Sequence, residues 1–356
     1  MTKILVDAHY VDDFYSGAST YLKGLFNELV KFDDLEIHLA AKNIERLKEN
    51  FPDKRFRYIQ LSSGSNIKRL LFEFPRLIKK GKFDYAHFTY FIPFIKNCKF
   101  LVSIHDLLFI DFPKYFSLKY RLGRTLMFYF SAQRADELLT ISNYSKNSLI
   151  KNFRLKADNI HITPCATINR YKEKEKSERL IKGNYLLYVS RLEHRKNHIA
   201  LLKAFVNLKL YDNYFLIFIG AKSAKIQELS EYIESLQQNI REKFIHIENV
   251  TEADLQNYYQ NASLFVFPSL GEGFGIPPLE ALAAGTKVIC SNATAMEDFD
   301  FLKGYQFDPT NQEELQNSII NTLQDYNYPF SNILEMMEMR YSWETAAKAL
   351  HLRLIA

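Results

Sequence analysis

Residues 263–285 constrain what this chain of 356 residues can fold into. Ser263-Leu264-Phe265-Val266-Phe267-Pro268 is an apolar run of the length of a buried parallel strand. It breaks into Ser269-Leu270-Gly271-Glu272-Gly273-Phe274-Gly275, after which Leu279, Leu282 and Ala283 recur at helical spacing. Pro277 and Pro278 suit a first helical turn, where a missing N–H costs nothing, and Gly285 supplies the stop. The unit reads strand, glycine loop, helix. Glycines let the backbone approach a ligand and turn its N–H groups outward, and such a loop at a helix N-terminus is a ready anion site. Glu272 and Glu280 flank it. A carboxylate repels phosphate but accepts hydrogen bonds from hydroxyls. Phosphate donors beside hydroxyl acceptors describe a pocket for a nucleotide sugar, lined by Glu272, Gly273, Phe274, Gly275, Ile276 and Glu280.

The same alternation runs along the chain. Strands are expected at 3–8, 35–41, 56–61, 84–88, 99–104 and 138–141, then at 185–190, 214–219, 244–248 and 286–290. Helical patterns separate them, as in Leu22, Leu25, Phe26, Leu29 and Val30. Alternation of this kind means a mostly parallel α/β sheet, whose ligands bind beyond the carboxyl ends of the strands. Three strand ends carry suitable residues. Gly17 closes the loop after the first strand, and His105-Asp106 follows Ile104 directly. Arg191 and Lys196 follow Tyr185–Ser190, with Arg195 as a less favoured substitute for either. Two cations at a strand end can neutralise a diphosphate as charge develops on it.

Length allows two domains, and 47% hydrophobic residues with 15% aromatics are enough for two cores. Cys98, Cys165 and Cys290 are too few and too scattered for a disulfide framework or a zinc site, which favours a reducing, cytoplasmic setting. Met1-Thr2-Lys3 runs straight into a strand and no window approaches a membrane span, so neither signal peptide nor spanning helix is expected. Residues 1–175 carry 29 Lys and Arg against 19 Asp and Glu, a charge of +10, which leaves −5 for the remainder of the +5 total. Two basic-aromatic stretches, 67–80 and 114–124, suit either an anionic membrane surface or a solvated helix face. In the first, Lys68, Arg69, Lys79 and Lys80 are the expected lipid-facing cations, and Pro75 is expected to interrupt the helix. Nucleic acid is not an expected partner, because recognised signatures are absent and the aromatics fall in core-like stripes.

Glu272-x7-Glu280, with Gly-Phe-Gly-Ile-Pro-Pro-Leu between, resembles the signature of the retaining family 4 glycosyltransferases, the glycosyl transferases of group 1. Arg191-x4-Lys196-Asn197 and the loop from Ile104-His105-Asp106-Leu107 to Asp111-Phe112-Pro113 resemble other elements of that family. The resemblance implies a GT-B fold, two Rossmann-like doubly wound domains facing a central cleft. It divides the chain into an acceptor-binding domain at 1–168, a linker at 169–183 and a donor-binding domain at 184–342, with a last helix at 343–356 returning to the first domain. It also implies retention of configuration without a metal and no cofactor beyond the donor. Glu280 would bind ribose, Glu272 a hydroxyl of the transferred sugar, and Arg191 with Lys196 the departing diphosphate. His105 would lie against the donor sugar, with Asp106 orienting it or touching the acceptor. The family usually carries two adjacent glycines where this chain has Ser16-Gly17. The His-Asp-Leu loop looks like that of bacterial mannosyltransferases of surface-polysaccharide (O-antigen) synthesis, which favours GDP-mannose over a UDP-hexose and a glycan or lipid-linked saccharide as acceptor. A sugar epimerase or a glycogen-synthase-like enzyme of the same architecture is the alternative among enzymes. A basic nucleic-acid-binding protein is the alternative from another class.

Overall fold

The computed structural model describes residues 1–12, 17–62, 65–167, 178–222 and 226–355. The chain divides into two compact units, Met1–Ala166 with Tyr341–Ala356, and Thr167–Arg340. The Lys-Glu-Lys-Glu-Lys run of the expected linker lies outside the described residues, as do Tyr15 and Ser16 of the first glycine loop.

The first unit is built on β1 (Thr2–Asp7), β2 (Leu35–Ala41), β3 (Arg57–Gln60), β4 (Tyr85–Thr89), β5 (Lys99–Ser103), β6 (Glu137–Thr140) and β7 (Ile160–Ile162). They pair in the order β3-β2-β1-β4-β5-β6-β7, and every pairing is parallel. Ile4, Leu5 and Val6 of β1 are all buried because helices cover both faces of the sheet. The crossovers hold α1 (Gly17–Leu29), α2 (Ile44–Asn50), α3 (Asn66–Lys68), α4 (Phe74–Gly81), α5 (Leu108–Asp111), α6 (Leu118–Arg134) and α7 (Asn143–Phe153). Ser142 caps α7, its side chain accepting the Ser145 N–H at 3.1 Å. Phe74 of α4, Phe128 of α6 and Phe153 of α7 meet Phe88 and Phe100 of the sheet in one apolar cluster. These three helices therefore share a face of the sheet.

Pro75 does not interrupt its segment. The helical path runs on from α3 through a π-helical turn, Arg69–Glu73, into α4, and Pro75 lies in the first turn of that last piece. Widening the winding before the ring accommodates a residue that cannot donate to the preceding turn. Arg69 also departs from expectation. Its side chain is 3% exposed, with Nε 3.0 Å from Asp7 Oδ2 at the end of β1, so it faces the interior and no lipid.

The second unit repeats the design with β8 (Asn184–Val189), β9 (Tyr214–Ile219), β10 (Phe244–Ile247), β11 (Leu264–Phe267), β12 (Val288–Ser291) and β13 (Gln306–Phe307). The order is β10-β9-β8-β11-β12-β13, again parallel throughout. Its helices are α8 (His198–Asn207), α9 (Gln227–Ser235), α10 (Gln238–Arg241), α11 (Glu252–Asn261), α12 (Ile276–Ala283), α13 (Gln312–Gln324) and α14 (Phe330–Arg340). Each sheet changes winding direction once, between β1 and β4 and between β8 and β11. Loops leaving the strands on the two sides of such a point diverge and open a crevice.

The last helix, α15 (Trp343–Leu354), belongs to the first unit and packs on α1. Ser142's role at α7 is repeated by Ser342, which accepts the Thr345 N–H. The Phe32 ring stacks on His351 at 3.9 Å, and His351 Nε2 lies 2.7 Å from Asp34 Oδ1. Trp343 rests directly on Gly24 of α1, where a β-carbon would overlap the indole. Replacing Gly24 by valine should therefore lower unfolding free energy by about 1–3 kcal/mol, the range for overpacking. Gly123→Ala on α6, where an added β-carbon meets nothing, should raise it by about 0.5–1 kcal/mol through helix propensity. Urea unfolding of the two variants checks the pair.

Candidate functional site

β8 and β11 are neighbours, with Leu187 paired to Phe265, so the loops that follow them meet although far apart in sequence. The loop after β8 holds Arg195 and Lys196 in a single 3-10 turn, His194–Lys196. It ends on Asn197, whose φ of +57° is left-handed and whose amide donates to the Pro309 carbonyl at 2.9 Å. The loop after β11 is tied to it, Leu270 N–H donating to the Arg195 carbonyl at 2.9 Å. Tyr188, buried in β8, donates its hydroxyl to the Lys196 carbonyl at 2.7 Å. Backbone and side-chain bonds thus fix both turns before any ligand arrives.

Glu272 enters between the two cations. Lys196 Nζ donates to Oε1 at 2.5 Å, and an Arg195 guanidinium nitrogen donates to Oε2 at 3.2 Å. The same nitrogen donates to the Gly271 carbonyl, while Arg195 also reaches Glu193 at 3.2 Å. Glu272 is only 8% exposed. Burial by itself raises a carboxyl, but Lys196 and Arg195 outweigh it and hold Glu272 down at about 2. Burial pulls the Lys196 ammonium below the ordinary lysine range, and the attraction of Glu272 opposes that fall.

Beyond Glu272 the chain turns into α12. Gly275 caps the helix with a φ of +104°, and a β-carbon there would also press on Met296 and Phe299, each at 3.4 Å. Ile276 begins the helix, and the prolines fall in its first turn. Gly273 and Phe274 are buried between the glutamate and the helix start. Glu280 lies one turn further along, half-buried, with Tyr259 of α11 donating to its Oε2 at 2.9 Å. The helix N-terminus, two carboxylates and two buried cations thus sit on one βα loop and its neighbour.

Two placements differ from the sequence expectation. Arg191 is turned outward, its side chain 69% exposed and its Nε a loose 3.5 Å from Glu193. Arg195, the less favoured candidate, takes the place beside Glu272 because the 3-10 turn directs it and Lys196 at the same carboxylate. Thr294, which no motif singled out, accepts the Glu272 backbone N–H at 2.8 Å. It does so from a φ of +57°, a strained choice for a β-branched residue. Neither side-chain direction nor a left-handed threonine leaves a periodicity that sequence reading could detect.

In the first unit, His105 lies just beyond β5 and is 5% exposed. Its Nδ1 is 3.0 Å from the Tyr90 hydroxyl, and Tyr21 meets the ring edge-on at 4.7 Å. Burial pulls its pKa to about 4, so the ring is neutral near pH 7. Nε2 is buried with no partner among the described residues. Asp106, half-buried, accepts the Leu108 N–H at 3.1 Å just ahead of α5. Gly17 opens α1, exposed, and a β-carbon there would meet nothing. At the β1/β4 crevice lies a cavity of about 1110 Å³, lined by His9, Tyr10, Lys42, Lys48, Arg69 and Arg124 among others. Asp7 sits beside it. Burial would raise this carboxyl, but His9 and Arg69 together bring it below the ordinary aspartate range. Among the described residues no group of His, Cys, Asp and Glu is arranged to hold a metal ion.

Comparison with known proteins agrees with this geometry. The family described as Glycosyl transferases group 1 matches residues 169–348, and Glycosyltransferase Family 4 matches residues 15–167. The chain is 30% identical over 236 residues to the O-antigen chain mannosyltransferase B of Escherichia coli, covering 63% of this chain and 61% of that one. It is 27% identical over 266 residues to the O-antigen chain mannosyltransferase RfbU of Salmonella typhimurium, covering 72% of each. The chain thus spans less than two thirds of the first relative's length. Among solved structures it resembles the sucrose-phosphate synthase of Thermosynechococcus elongatus, with a TM-score of 0.76, 18% identity and coverage of 99% and 98%. It also resembles Anabaena HepE in complex with UDP-glucose, at a TM-score of 0.73, 15% identity and 99% of both chains. The fold is that of the GT-B glycosyltransferases, two Rossmann-like parallel α/β units.

Glu272→Gln should be costly. It leaves Arg195 and Lys196 buried against a neutral amide, and breaking a buried ion pair from one side typically costs about 3–5 kcal/mol. The loss should depend on pH with a definite sign. A carboxyl held at about 2 in the fold against 4.5 unfolded stabilises above pH 4.5, and that contribution fades as pH falls towards 2. Unfolding curves for wild type and variant should therefore converge in acid. A gap that is unchanged between pH 7 and pH 3 would contradict the assignment.

Proposed function

Because the chain belongs to the glycosyl transferases of group 1, whose family match spans residues 169–348, we propose that it moves a hexose from a nucleoside-diphosphate sugar to a saccharide acceptor, with retention of configuration. The observation that carries this reading is Glu272 held ionised between Arg195 and Lys196 at the N-terminal end of α12, with Glu280 one turn away. Arg191, Glu193, Arg195, Lys196 and Glu272 sum to a charge of +1, a field suited to an anionic ligand. The diphosphate would take Lys196 and the exposed Arg191, with the N–H groups around Phe274, Gly275 and Ile276 as further donors. Arg195 would stay with Glu272 and keep that carboxylate aimed as Lys196 turns to phosphate. Glu272 then accepts from a hydroxyl of the transferred sugar, and Glu280, oriented by Tyr259, accepts from the ribose hydroxyls.

Once they have turned to the diphosphate, Lys196 and Arg191 stabilise the negative charge that develops on it as the bond breaks. No metal ion or other cofactor is called for in this scheme. His105, neutral and with one ring nitrogen unpartnered among the described residues, is suited to donate or accept a hydrogen bond with a sugar hydroxyl, Tyr90 fixing its ring. It is a positioning group in this reading and carries no covalent intermediate. Asp106 orients that loop, and Gly17 leaves room above α1 for a ligand to approach. The acceptor would occupy the cavity at the β1/β4 crevice, where Lys42, Lys48 and Arg124 outnumber Asp12 and Glu45 and suit a saccharide that carries negative charge.

The mannosyltransferase relatives favour mannose as the sugar and GDP-mannose as the donor, with an O-antigen-type glycan or a lipid-linked saccharide as acceptor. A panel of nucleotide sugars, scored for hydrolysis, transfer and thermal stabilisation, tests the reading. GDP-mannose should stabilise the chain by about 2.7 kcal/mol at a hundredfold its dissociation constant, and no stabilisation by any member would contradict the donor site. Glu280→Ala should weaken binding of the free nucleoside diphosphate by about 1.5–3 kcal/mol, the range for a hydrogen bond to a charged group. Calorimetric titration measures it. Turnover should persist in EDTA, since Arg191 and Lys196 do the work a metal would do. A loss on chelation that magnesium or manganese restores would reverse that conclusion.

A further inference from the structure

The sequence placed its lipid-facing charge on Lys68, Arg69, Lys79 and Lys80, but burial of Arg69 against Asp7 removes one of the four. The exposed surface around the other three is informative. Leu118, Leu122 and Leu126 of α6 are 63–69% exposed, and Tyr129 follows on the same stripe. Spacings of four, four and three residues set these side chains in one line along the helix. Phe94 and Ile95, also exposed, extend the apolar surface at its far end, where the Phe94 ring lies 5.1 Å from Phe130 of α6. Ile95 in turn lines a hollow with Arg76 and Lys79 of α4.

The two helices are neighbours, since α4 and α6 pack on one apolar cluster. Along the path from α3 to α4 the exposed positions are Asn66, Ile67, Lys68, Phe72, Arg76, Lys79 and Lys80. Acidic residues are nearly missing from this surface. Residues 118–134 contain none, and residues 66–81 contain only Glu73, which accepts the Ser62 N–H at 2.7 Å and so is engaged by its own loop. A soluble helix face normally mixes both signs. Here a row of exposed leucines runs beside a row of cations that make no ion pair among the described residues.

We infer that the α4–α6 face of the first unit is a docking surface for an anionic phospholipid bilayer, with the Leu118–Leu122–Leu126 stripe entering the headgroup boundary and the α4 cations meeting lipid phosphates. Charge complementarity selects this occupant, because an apolar row flanked by cations without an ion-pair partner among the described residues matches an anionic interface. No helix among the described residues is long and apolar enough to cross a membrane, so the contact is peripheral. The inference goes beyond sugar transfer and does not require it, since vesicle binding needs neither donor nor acceptor.

The test uses the full chain with vesicles of phosphatidylcholine alone or mixed with phosphatidylglycerol. Wild type should sediment with the anionic vesicles, poorly with the neutral ones, and less at about 0.5 M salt, where screening is strong. Leu122→Ser/Leu126→Ser and Lys79→Glu/Lys80→Glu should each lower partitioning roughly tenfold or more. Lys79→Arg/Lys80→Arg should bind as wild type, and unchanged thermal melts of all variants exclude loss of folding as the cause. Equal binding to neutral vesicles, or full binding by both disruptive variants, overturns the inference. So does a wild-type chain that ignores vesicles but self-associates through the leucines by light scattering, which would make the face a contact between copies.

Discussion

A carboxylate kept ionised inside a protein needs positive charge within a few ångströms, and Glu272 has it twice over. That requirement organises the second unit. Arg195 and Lys196 are consecutive, so a regular strand would send them to opposite sides. The 3-10 turn after β8 brings both to bear on one group. Leu270 N–H and the Tyr188 hydroxyl clamp that turn from two directions, and Thr294 accepts a left-handed backbone to hold the Glu272 amide. Strain at one residue and two buried cations would be poor choices for stability alone. They are good choices for holding a carboxylate ionised and in one fixed position.

The position of this cluster follows from strand order. In both sheets the winding reverses once, and the residues that carry polar chemistry gather at the reversal. Between β8 and β11 these are the cations and Glu272. Between β1 and β4 they are Asp7, His9 and the mouth of the cavity, with Arg69 reaching in from the π-helical turn. His105 is one strand further along, its ring buried among Tyr21 and Tyr90.

Much of the architecture could be read before folding was considered. The strands at β2 and β9 fall where apolar runs end in polar turns, and the glycine loop, the two prolines of α12 and the stop at Gly285 announced their own unit. Short strands escaped, because β7 and β13 are too brief for a period-two pattern to register. Pro75 misled because the rule for proline concerns regular α-helix, and a π-helical turn relieves the clash.

By itself the sequence determined the class of fold, the strand ends where polar residues gather and the placing of Glu272 and Glu280 about one helix start, since these depend on periodicity and spacing within one segment. Only the tertiary structure decided which cations meet Glu272. Arg191 and Arg195 differ by four positions in one loop and carry the same charge, and no local rule ranks them. The ranking comes from the pairing of β8 with β11, which brings residues 76 apart into contact and leaves Arg191 in solvent. Arg69 is the same lesson in the first unit. A cation among exposed neighbours on a helix reads as surface, and becomes interior only because the end of β1 presents Asp7 to it.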